Sequence, residues 1–156
     1  MEQLCQDKNN PVQIAIVGGG PSGIYCAINI LELFSKNNFN DYKITIFDKS
    51  QVLRTLLPTG NGRCNLSNSI SDIKEFASNY PSGEKFLYSV FSRYFIFETL
   101  DFFNSIGIET YIQDDNRIFP KTNSASFIKN KMLEKLKSYK NVYLVKNLVV
   151  SGHERI

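Results

Sequence analysis

The sequence predicts an α/β fold built on a parallel sheet, and three features near its start carry this prediction. Residues 12–17 are an apolar run rich in β-branched side chains, which is typical of a buried strand. Glycines at positions 18, 20 and 23 follow at once, and apolar residues then recur at helical spacing. Residues 43–47 form a second β-branched run. A strand, a tight turn, a helix and another strand make a βαβ unit.

Within this βαβ unit, residues 12–48, the glycines spell G-x-G-x-x-G at the junction of strand and helix. Gly18 permits the sharp turn, Gly20 lets a pyrophosphate approach the backbone, and Gly23 lets helix and strand pack closely. The free N–H groups of the first helical turn would face the phosphates, with the Ser22 hydroxyl as a further donor. The alternative is a glycine turn that binds nothing, because such turns also occur where a strand only changes direction.

Asp48, directly after the second predicted strand, favours the binding interpretation. A carboxylate there accepts both ribose hydroxyls of an adenosine and so discriminates a 2′-hydroxyl from a 2′-phosphate. It comes 30 positions after Gly18 (48 minus 18), against roughly 20 in the usual spacing. We attribute the excess to a polar insert at residues 35–41, since loops lengthen at little cost. The stretch therefore predicts an adenine dinucleotide.

The composition argues against several other classes of protein. The chain has 156 residues, one domain's worth, with 18 basic and 15 acidic side chains and a net charge of +3. The charges form no long runs, so neither nucleic acid nor a membrane surface is expected as a partner. No apolar stretch approaches the roughly 18 residues of a membrane span, and the polar N-terminus lacks a signal-peptide pattern. We therefore expect a cytoplasmic protein.

Cysteine and histidine usage predicts no metal site. Cys5, Cys26 and Cys64 are odd in number and lack C-x-x-C spacing, which argues against a disulfide framework or zinc ligation. His153 is the single histidine of the sequence and has no His or Cys nearby. We expect reduced thiols.

A lead-in, a loop and a helical insert account for the other residues of the first two thirds. Residues 1–11 are polar and predict a flexible lead-in, and residues 49–68 are rich in turn-forming residues. The insert, residues 71–107, is predicted to begin with a short helix capped by Ser71 and to end at Gly107. Its two aromatic-rich helices, residues 84–94 and 98–106, are expected to pack through Phe86, Leu87, Val90, Phe91, Tyr94, Leu100, Phe103 and Ile106.

A hairpin and a helix–strand pair follow. Residues 108–120 flank an Asp-Asp-Asn turn and predict a β-hairpin. Residues 124–150 predict a helix that begins at Ser124 and a third parallel strand at 142–145, with a further strand opening at 148–150. The inward-facing residues of this helix are predicted to be Ala125, Ile128, Met132 and Leu136.

Four motifs carry a resemblance to a known family. They are IVGGGPSG, FDK at 47–49, TGNGRCNLSN at 59–68 and RIFPKTNSA at 117–125. In this combination and order the chain resembles the bacterial BaiN/RdsA-type NAD(P)/FAD-dependent oxidoreductases, whose second motif usually reads G-G-G-R-C-N-[LIV]-[TS]-N. Members of that family are much longer, so the resemblance covers their N-terminal portion.

The resemblance implies a Rossmann-like FAD/NAD(P)-binding domain with a three-layer parallel sheet that is incomplete at its C-terminus. FAD would bind extended, with its ADP half on the βαβ unit and its flavin toward the loop at residues 59–68. Arg63 would offer forked donors to the pyrophosphate or flavin carbonyls, and Asn65 would both donate and accept. The implied cofactor-binding residues are Gly18, Gly20, Ser22, Gly23, Asp48, Lys49, Gly60, Gly62, Arg63, Cys64, Asn65 and Val149.

Some positions depart from the family pattern or leave alternatives open. Leu53 and Thr55 stand where Gly and Lys are often found, whereas Arg54 between them keeps the usual residue. Asn61 replaces a commoner glycine, which is tolerable because Asn adopts left-handed conformations. The loop could instead be a self-satisfied turn, with Arg63 on a structural carboxylate. Its cysteine, Cys64, has no second cysteine at a suitable spacing, so a chemically quiet thiol is favoured.

The implied activity is an FAD-dependent oxidoreductase that moves a hydride from NAD(P)H to an organic acceptor. The isoalloxazine carries that chemistry, so no catalytic acid or base is assigned to the protein. A truncated, non-catalytic fragment that binds FAD weakly or not at all is the alternative. It would need its missing C-terminal half or would self-associate through unpaired strand edges. A plain NAD-binding module is a third interpretation, which leaves the R-C-N loop without a role.

Overall fold

The computed structural model describes residues 11–152, so residues 1–10 of the predicted lead-in (residues 1–11) and His153 lie outside the described residues. Contacts between Cα atoms divide the chain into two compact units. Unit 1 comprises the residues up to Leu56 and those from Met132 onward, and unit 2 runs from Leu57 to Lys131. Among the described residues, no helix combines the length and the apolar character that crossing a membrane would need.

Unit 1 contains a three-stranded parallel sheet. Its strands are β1 (Val12–Val17), β2 (Tyr42–Phe47) and β6 (Val142–Val145), in the order β1-β2-β6. In the register of the first pair, Val12 lies opposite Tyr42, and β6 joins the other edge of β2. The parallel sheet and the βαβ unit confirm the predicted α/β Rossmann-like fold.

Helices cover one face of this sheet. In α1 (Pro21–Lys36) the buried residues recur at helical spacing, because only that stripe faces the strands. In β2 the side chains of Ile44 and Ile46 are fully buried. The C-terminal half of α5 (Ala125–Lys137) lies beside α1, where Lys135 Nζ is 3.0 Å from Glu32 Oε1. The buried α1 residues are Ile24, Ala27, Ile28 and Leu31.

The other face of the sheet is open. Val17 is 66% exposed and Tyr143 is 50% exposed, and Ala15 and Lys43 on the same face are exposed as well. Alternation along each strand places these residues opposite the helix-covered side. In unit 1, the described residues therefore form two layers of the predicted three.

Two segments of unit 1 differ from the prediction, one in where it begins and one in its secondary structure. The predicted polar insert at residues 35–41 begins later, because α1 continues to Lys36 and the rings of Phe34, Phe39 and Tyr42 pack together at its end. The further strand predicted at 148–150 was wrong. These residues have no strand partner in the described chain and instead follow Asp48, whose carbonyl oxygen accepts the Leu148 N–H at 3.1 Å.

Unit 2 holds a small antiparallel sheet of β3 (Ser67–Asn68), β4 (Thr110–Ile112) and β5 (Arg117–Pro120), in the order β3-β5-β4. β4 and β5 lie within the predicted hairpin, whose turn places Asn116 at φ +64°. Pairing of β3 with β5 was not predicted, because a two-residue strand leaves no periodic pattern in the sequence.

Besides the first half of α5, unit 2 holds three short helices: α2 (Ile73–Ser78), α3 (Glu84–Phe91) and α4 (Ile96–Ser105). The predicted cap Ser71 is wrong, because the Asp72 carboxylate accepts the Glu75 N–H at 2.7 Å and so caps α2. At the end of α4, Gly107 has φ +77° and the Ile108 N–H donates to Phe103 O at 2.9 Å. That pattern is a Schellman termination.

The packed aromatic face predicted for α3 is wrong in part. No residue of α3 is buried, and Phe86 is 72% exposed. Phe91 alone of its rings packs inward, against Phe76 with centroids 5.1 Å apart. In α4 the prediction of Phe103 agrees with the structure, although its buried neighbour is Phe102 rather than Leu100. Because this two-turn helix packs inward through Phe91 at its C-terminal end, the rest of its apolar face stays exposed.

Candidate nucleotide-binding groove

The glycine turn joins β1 to α1 and its geometry accounts for two of the three glycines. Gly18 has φ +105°, a conformation that side chains disfavour, and its N–H donates to Phe47 O at 2.8 Å. A Cβ added at Gly23 would overlap the Gly18 carbonyl oxygen. At Gly20 the nearest atom to an added Cβ is Thr55 Oγ1, 3.7 Å away. Gly18 and Gly23 are thus required by the fold, whereas Gly20 leaves room above the turn.

The first turn of α1 offers unsatisfied donors beside that room. Gly20 is the N-cap and makes no side-chain cap, and Pro21 at the first helical position has no N–H. The N–H groups of Ser22 and Gly23 have no carbonyl one turn earlier in the helix to bond. The positive end of the helix dipole adds to them, so this terminus attracts an anion.

Asp48 is tied to the glycine turn. Its Oδ2 accepts the Gly19 N–H at 2.7 Å, while Oδ1 accepts the Ser50 N–H at 2.7 Å and the Ser50 hydroxyl at 3.1 Å. The Ser50 backbone bond is the main cause that lowers the pKa of Asp48, with help from Gly19 and the Lys49 charge and against a cost of burial. The carboxylate is therefore ionised at neutral pH. Three of its roughly four lone-pair sites are occupied, so it keeps one, on Oδ2, for a ribose hydroxyl.

An open groove of about 290 Å³ runs along the ends of β1 and β2. Its walls are the turn at residues 17–20, the segments 47–51 and 53–55, and the stretch 148–150, all of them in unit 1. Of the residues predicted from sequence, the groove lining includes Gly18, Gly20, Asp48, Lys49 and Val149. Ser22 and Gly23, in the first turn of α1, are not among the residues that line the groove.

The segment after Asp48 was the part of the groove that sequence reasoning missed. A short 3-10 turn, Arg54–Leu56, follows Leu53, which has φ +56° although its side chain is fully buried. The Leu53 N–H donates to Gly19 O at 2.7 Å. A non-glycine residue at such φ costs about 1–3 kcal/mol. The signal was present in the family comparison, since Leu53 stands where glycine is usual.

The R-C-N loop of unit 2 is a run of left-handed residues. Gly60, Asn61, Gly62 and Cys64 have φ values of +56°, +57°, +80° and +64°. The carbonyl of Thr59 accepts the N–H groups of Gly62 at 3.1 Å and Cys64 at 2.9 Å. A Cβ at Gly60 would lie 2.7 Å from Asn65 N, so this glycine is required by the turn itself, and Asn65 is exposed.

Arg63 makes internal contacts in unit 2. Its Nε donates to Gly60 O at 3.2 Å, and Nη1 donates to Gln113 Oε1 at 3.2 Å. The guanidinium carbon lies 4.0 Å from the centroid of the buried Phe119 ring, a cation–π contact. The alternative interpretation named a structural carboxylate as the partner of Arg63, and that partner is wrong. The guanidinium instead contacts the Gly60 carbonyl, the Gln113 side-chain amide and the Phe119 ring.

Cys64 is buried, and burial raises the pKa of its thiol, with an opposing hydrogen bond from Thr59. The thiolate is the nucleophilic form, so a raised pKa makes this cysteine unreactive at neutral pH. Within residues 11–152, no three acidic, Cys or His side chains gather as metal ligands would.

The groove lining is confined to unit 1. A role in binding the same cofactor stays a prediction for the five residues of unit 2, which are Gly60, Gly62, Arg63, Cys64 and Asn65.

Comparison with known proteins adds three findings. The family model described as HI0933-like protein Rossmann domain matches residues 12–155. A curated relative, the 3-dehydro-bile acid delta(4,6)-reductase of Clostridium scindens, is 32% identical over 117 residues, which are 74% of this chain and 26% of the relative. The crystal structure of Thermovibrio ammonificans THI4 superposes with a TM-score of 0.52 at 11% identity, covering 87% of this chain and 38% of that one. The chain thus spans about a quarter of its curated relative.

Proposed function

This chain belongs to the HI0933-like protein family, and from that premise we propose that it is the FAD-binding portion of a flavoprotein oxidoreductase. The BaiN/RdsA-type resemblance of its motifs, to the N-terminal portion of that family, is confirmed by the family match and the bile acid reductase relative. The Rossmann-like fold is likewise established, and the cofactor and reaction are our inference.

The groove beside the glycine turn is the observation that carries this proposal. It joins an anion-attracting helix terminus to an ionised carboxylate, Asp48, at the carboxyl ends of two parallel strands. An adenosine diphosphate carries an anionic diphosphate and a ribose diol, the two kinds of group that these elements would bind. This pairing of groups supports an adenine dinucleotide over an empty turn.

The residues present fit the ADP half of FAD. The open space above Gly20 would admit the diphosphate, which the Ser22 and Gly23 N–H groups would bind. The remaining lone pair on Asp48 Oδ2 would accept one ribose hydroxyl. Val149, 73% exposed on the groove wall, would contact the adenine. The Lys49 charge would add a small contribution to the hydrogen bonds from Ser50 and Gly19 that lower the pKa of Asp48.

Bound FAD would supply hydride transfer between NAD(P)H and an organic acceptor. The protein's part is to bind and orient the cofactor, and no residue is assigned as acid or base. The loop at residues 59–68 would face the flavin half, where Asn65 offers both a donor and an acceptor. We further expect a protein that neither enters membranes nor binds nucleic acid, with a cytoplasmic location.

A binding measurement tests the proposal directly. Purified chain is mixed with FAD, freed of excess ligand and examined by visible absorption, and affinity is measured by quenching of flavin fluorescence. We expect flavin bands near one equivalent, competition by ADP, and much weaker binding of riboflavin, which lacks the ADP half. A colourless preparation whose fluorescence titration shows no FAD binding would contradict the proposal and favour the non-catalytic fragment.

A further inference from the structure

We propose that Asn61 is a site of spontaneous chemical modification, at which the backbone nitrogen of the next residue converts the side-chain amide into a carboxylate. Asn61 and Gly62 form the one Asn-Gly pair in the sequence. The motif that this loop resembles usually has glycine at position 61, so the pair is a feature of this chain. Glycine favours the reaction because, without a Cβ, it lets another group approach its backbone closely.

The reaction consumes only water. The Gly62 nitrogen loses its proton to solvent and attacks Asn61 Cγ, so that an N–Cγ bond forms. The Cγ–Nδ2 bond breaks, and the amide nitrogen takes up a proton and leaves as ammonia. Water then opens the resulting succinimide ring. If the new N–Cγ bond breaks, residue 61 becomes aspartate, and if the original peptide bond breaks, it becomes isoaspartate. Nothing is oxidised or reduced, and one water replaces one ammonia.

Both reacting groups are accessible. Asn61 and Gly62 are exposed, and the Asn61 side chain has no hydrogen-bond partner among residues 11–152. A Cβ added at Gly62 would meet no atom within 4 Å, so the space beside this residue is open. The Asn61 amide can therefore rotate toward the backbone without displacing another side chain.

One hydrogen bond of the folded turn has to open before the attack. The Gly62 N–H donates to Thr59 O at 3.1 Å, and the left-handed conformation of Asn61, with φ +57°, belongs to this turn. The same carbonyl oxygen accepts the Cys64 N–H at 2.9 Å. Release of the Gly62 N–H therefore leaves the Cys64 bond in place. A local opening on the surface suffices, and unfolding of the loop is not required.

Three other asparagines precede a small residue and are held differently. Asn68, Asn104 and Asn123 are each followed by serine. Asn68 Oδ1 accepts the Ile70 N–H at 2.9 Å, and Asn123 Oδ1 accepts the Tyr111 hydroxyl at 2.9 Å. Asn104 lies in α4, where helical hydrogen bonds engage the backbone nitrogen that follows it. These three asparagines serve as internal controls for the reactivity of Asn61.

Peptide mapping by mass spectrometry tests the inference. Folded wild-type chain, the same chain unfolded in urea, and folded Asn61→Gly are incubated at mildly alkaline pH in ordinary and in heavy-oxygen water. Folded wild type should form both aspartate and isoaspartate at position 61, with one heavy oxygen incorporated. The reaction there should run at least about 10-fold faster than at any of the three Asn-Ser pairs. The loop peptide of Asn61→Gly should stay unmodified, which excludes Asn65 as the source.

Specific outcomes would overturn the inference. Modification of Asn61 in urea but not in the folded chain would mean that the turn protects the pair. Equal rates at Asn61 and Asn123 in the folded chain would mean that exposure alone decides. Aspartate without isoaspartate would mean direct hydrolysis of the amide, with no attack by the Gly62 nitrogen. A modified loop peptide in Asn61→Gly would move the site to another residue.

Discussion

The two glycine-rich turns of this protein, residues 18–23 in unit 1 and 59–65 in unit 2, use their backbone groups in opposite ways. The first leaves helix N–H groups beside an open groove. The second consumes its donors internally, since the Thr59 carbonyl accepts two N–H groups and Arg63 donates to Gly60 O and Gln113. The comparison teaches that a glycine-rich motif by itself indicates only a turn, and that the structure decides which of the turn's backbone donors stay unpaired.

The largest effect that sharpens this comparison is expected at Gly23. Gly23→Ala should destabilise the fold by about 3 kcal/mol or more, because its Cβ overlaps the Gly18 carbonyl oxygen and backbone cannot yield cheaply. Gly20→Ala is the matched control and should cost under about 1 kcal/mol, since its Cβ meets only Thr55 Oγ1 at van der Waals distance. Urea unfolding measures both, and equal losses would contradict the assignment of separate roles.

Gly20→Val tests the contrast between the two turns through FAD affinity rather than stability. The larger side chain should fill the room above the turn and abolish FAD binding, whereas the fold should survive. Circular dichroism and FAD fluorescence titration report the two properties separately. Retained FAD affinity in a folded Gly20→Val chain would place the diphosphate elsewhere.

Arg63 tests the self-satisfied character of the second turn. Arg63→Ala should destabilise the protein by about 1–3 kcal/mol through loss of two hydrogen bonds and the contact with Phe119. Arg117→Ala is the control and should cost less than Arg63→Ala. The Arg117 guanidinium carbon lies 5.5 Å from the centroid of the same ring, and its ion pair with Asp115 is exposed. If Arg63→Ala lost FAD affinity but kept its stability, Arg63 would serve the ligand rather than the turn, which would contradict the contrast between the two turns.

Asp48 predicts a pH dependence specific to the first turn. Its pKa is lowered in the folded state, so the ionised carboxylate stabilises the fold above its unfolded pKa, about 4, and that contribution is lost as pH falls through the folded value. Wild type should therefore exceed Asp48→Asn in stability at pH 7, and the gap should narrow below about pH 4. The exposed Asp114→Asn should show little gap. A gap for Asp48 that stays constant to pH 3 would contradict this.

The smallest effect is expected at Asn61, which is exposed with φ +57°. Asn61→Gly should change stability by less than about 0.5 kcal/mol, because both residues adopt this conformation readily, whereas Asn61→Ala should cost about 1 kcal/mol. Thermal unfolding of the pair checks the difference. Equal stability of the two variants would show that the loop does not need its left-handed geometry.

Prediction from sequence succeeded where the pattern was local and long. In unit 1, β1, β2 and α1 carry apolar patterns that extend over five or more residues, and those elements lie where expected. Prediction from sequence failed where contacts between distant segments decide whether a side chain is buried or a strand is paired. Phe86 and Val90 share the helical spacing of a core face, yet both are exposed because nothing in the described chain covers them. Likewise, residues 148–150 read as a strand but lack a partner.

The sequence by itself determined that a glycine turn stands between a strand and a helix and that an acid follows the next strand. Those features depend on the conformational freedom of glycine and on the spacing of apolar residues, and both can be recognised from residues close together in the sequence. Only the tertiary structure decided that the Asp48 carboxylate accepts the Gly19 N–H, that Leu53 adopts a left-handed conformation, and that Arg54 lines the groove. Such contacts join residues some thirty positions apart. No local pattern encodes them, because they depend on how the folded segments meet.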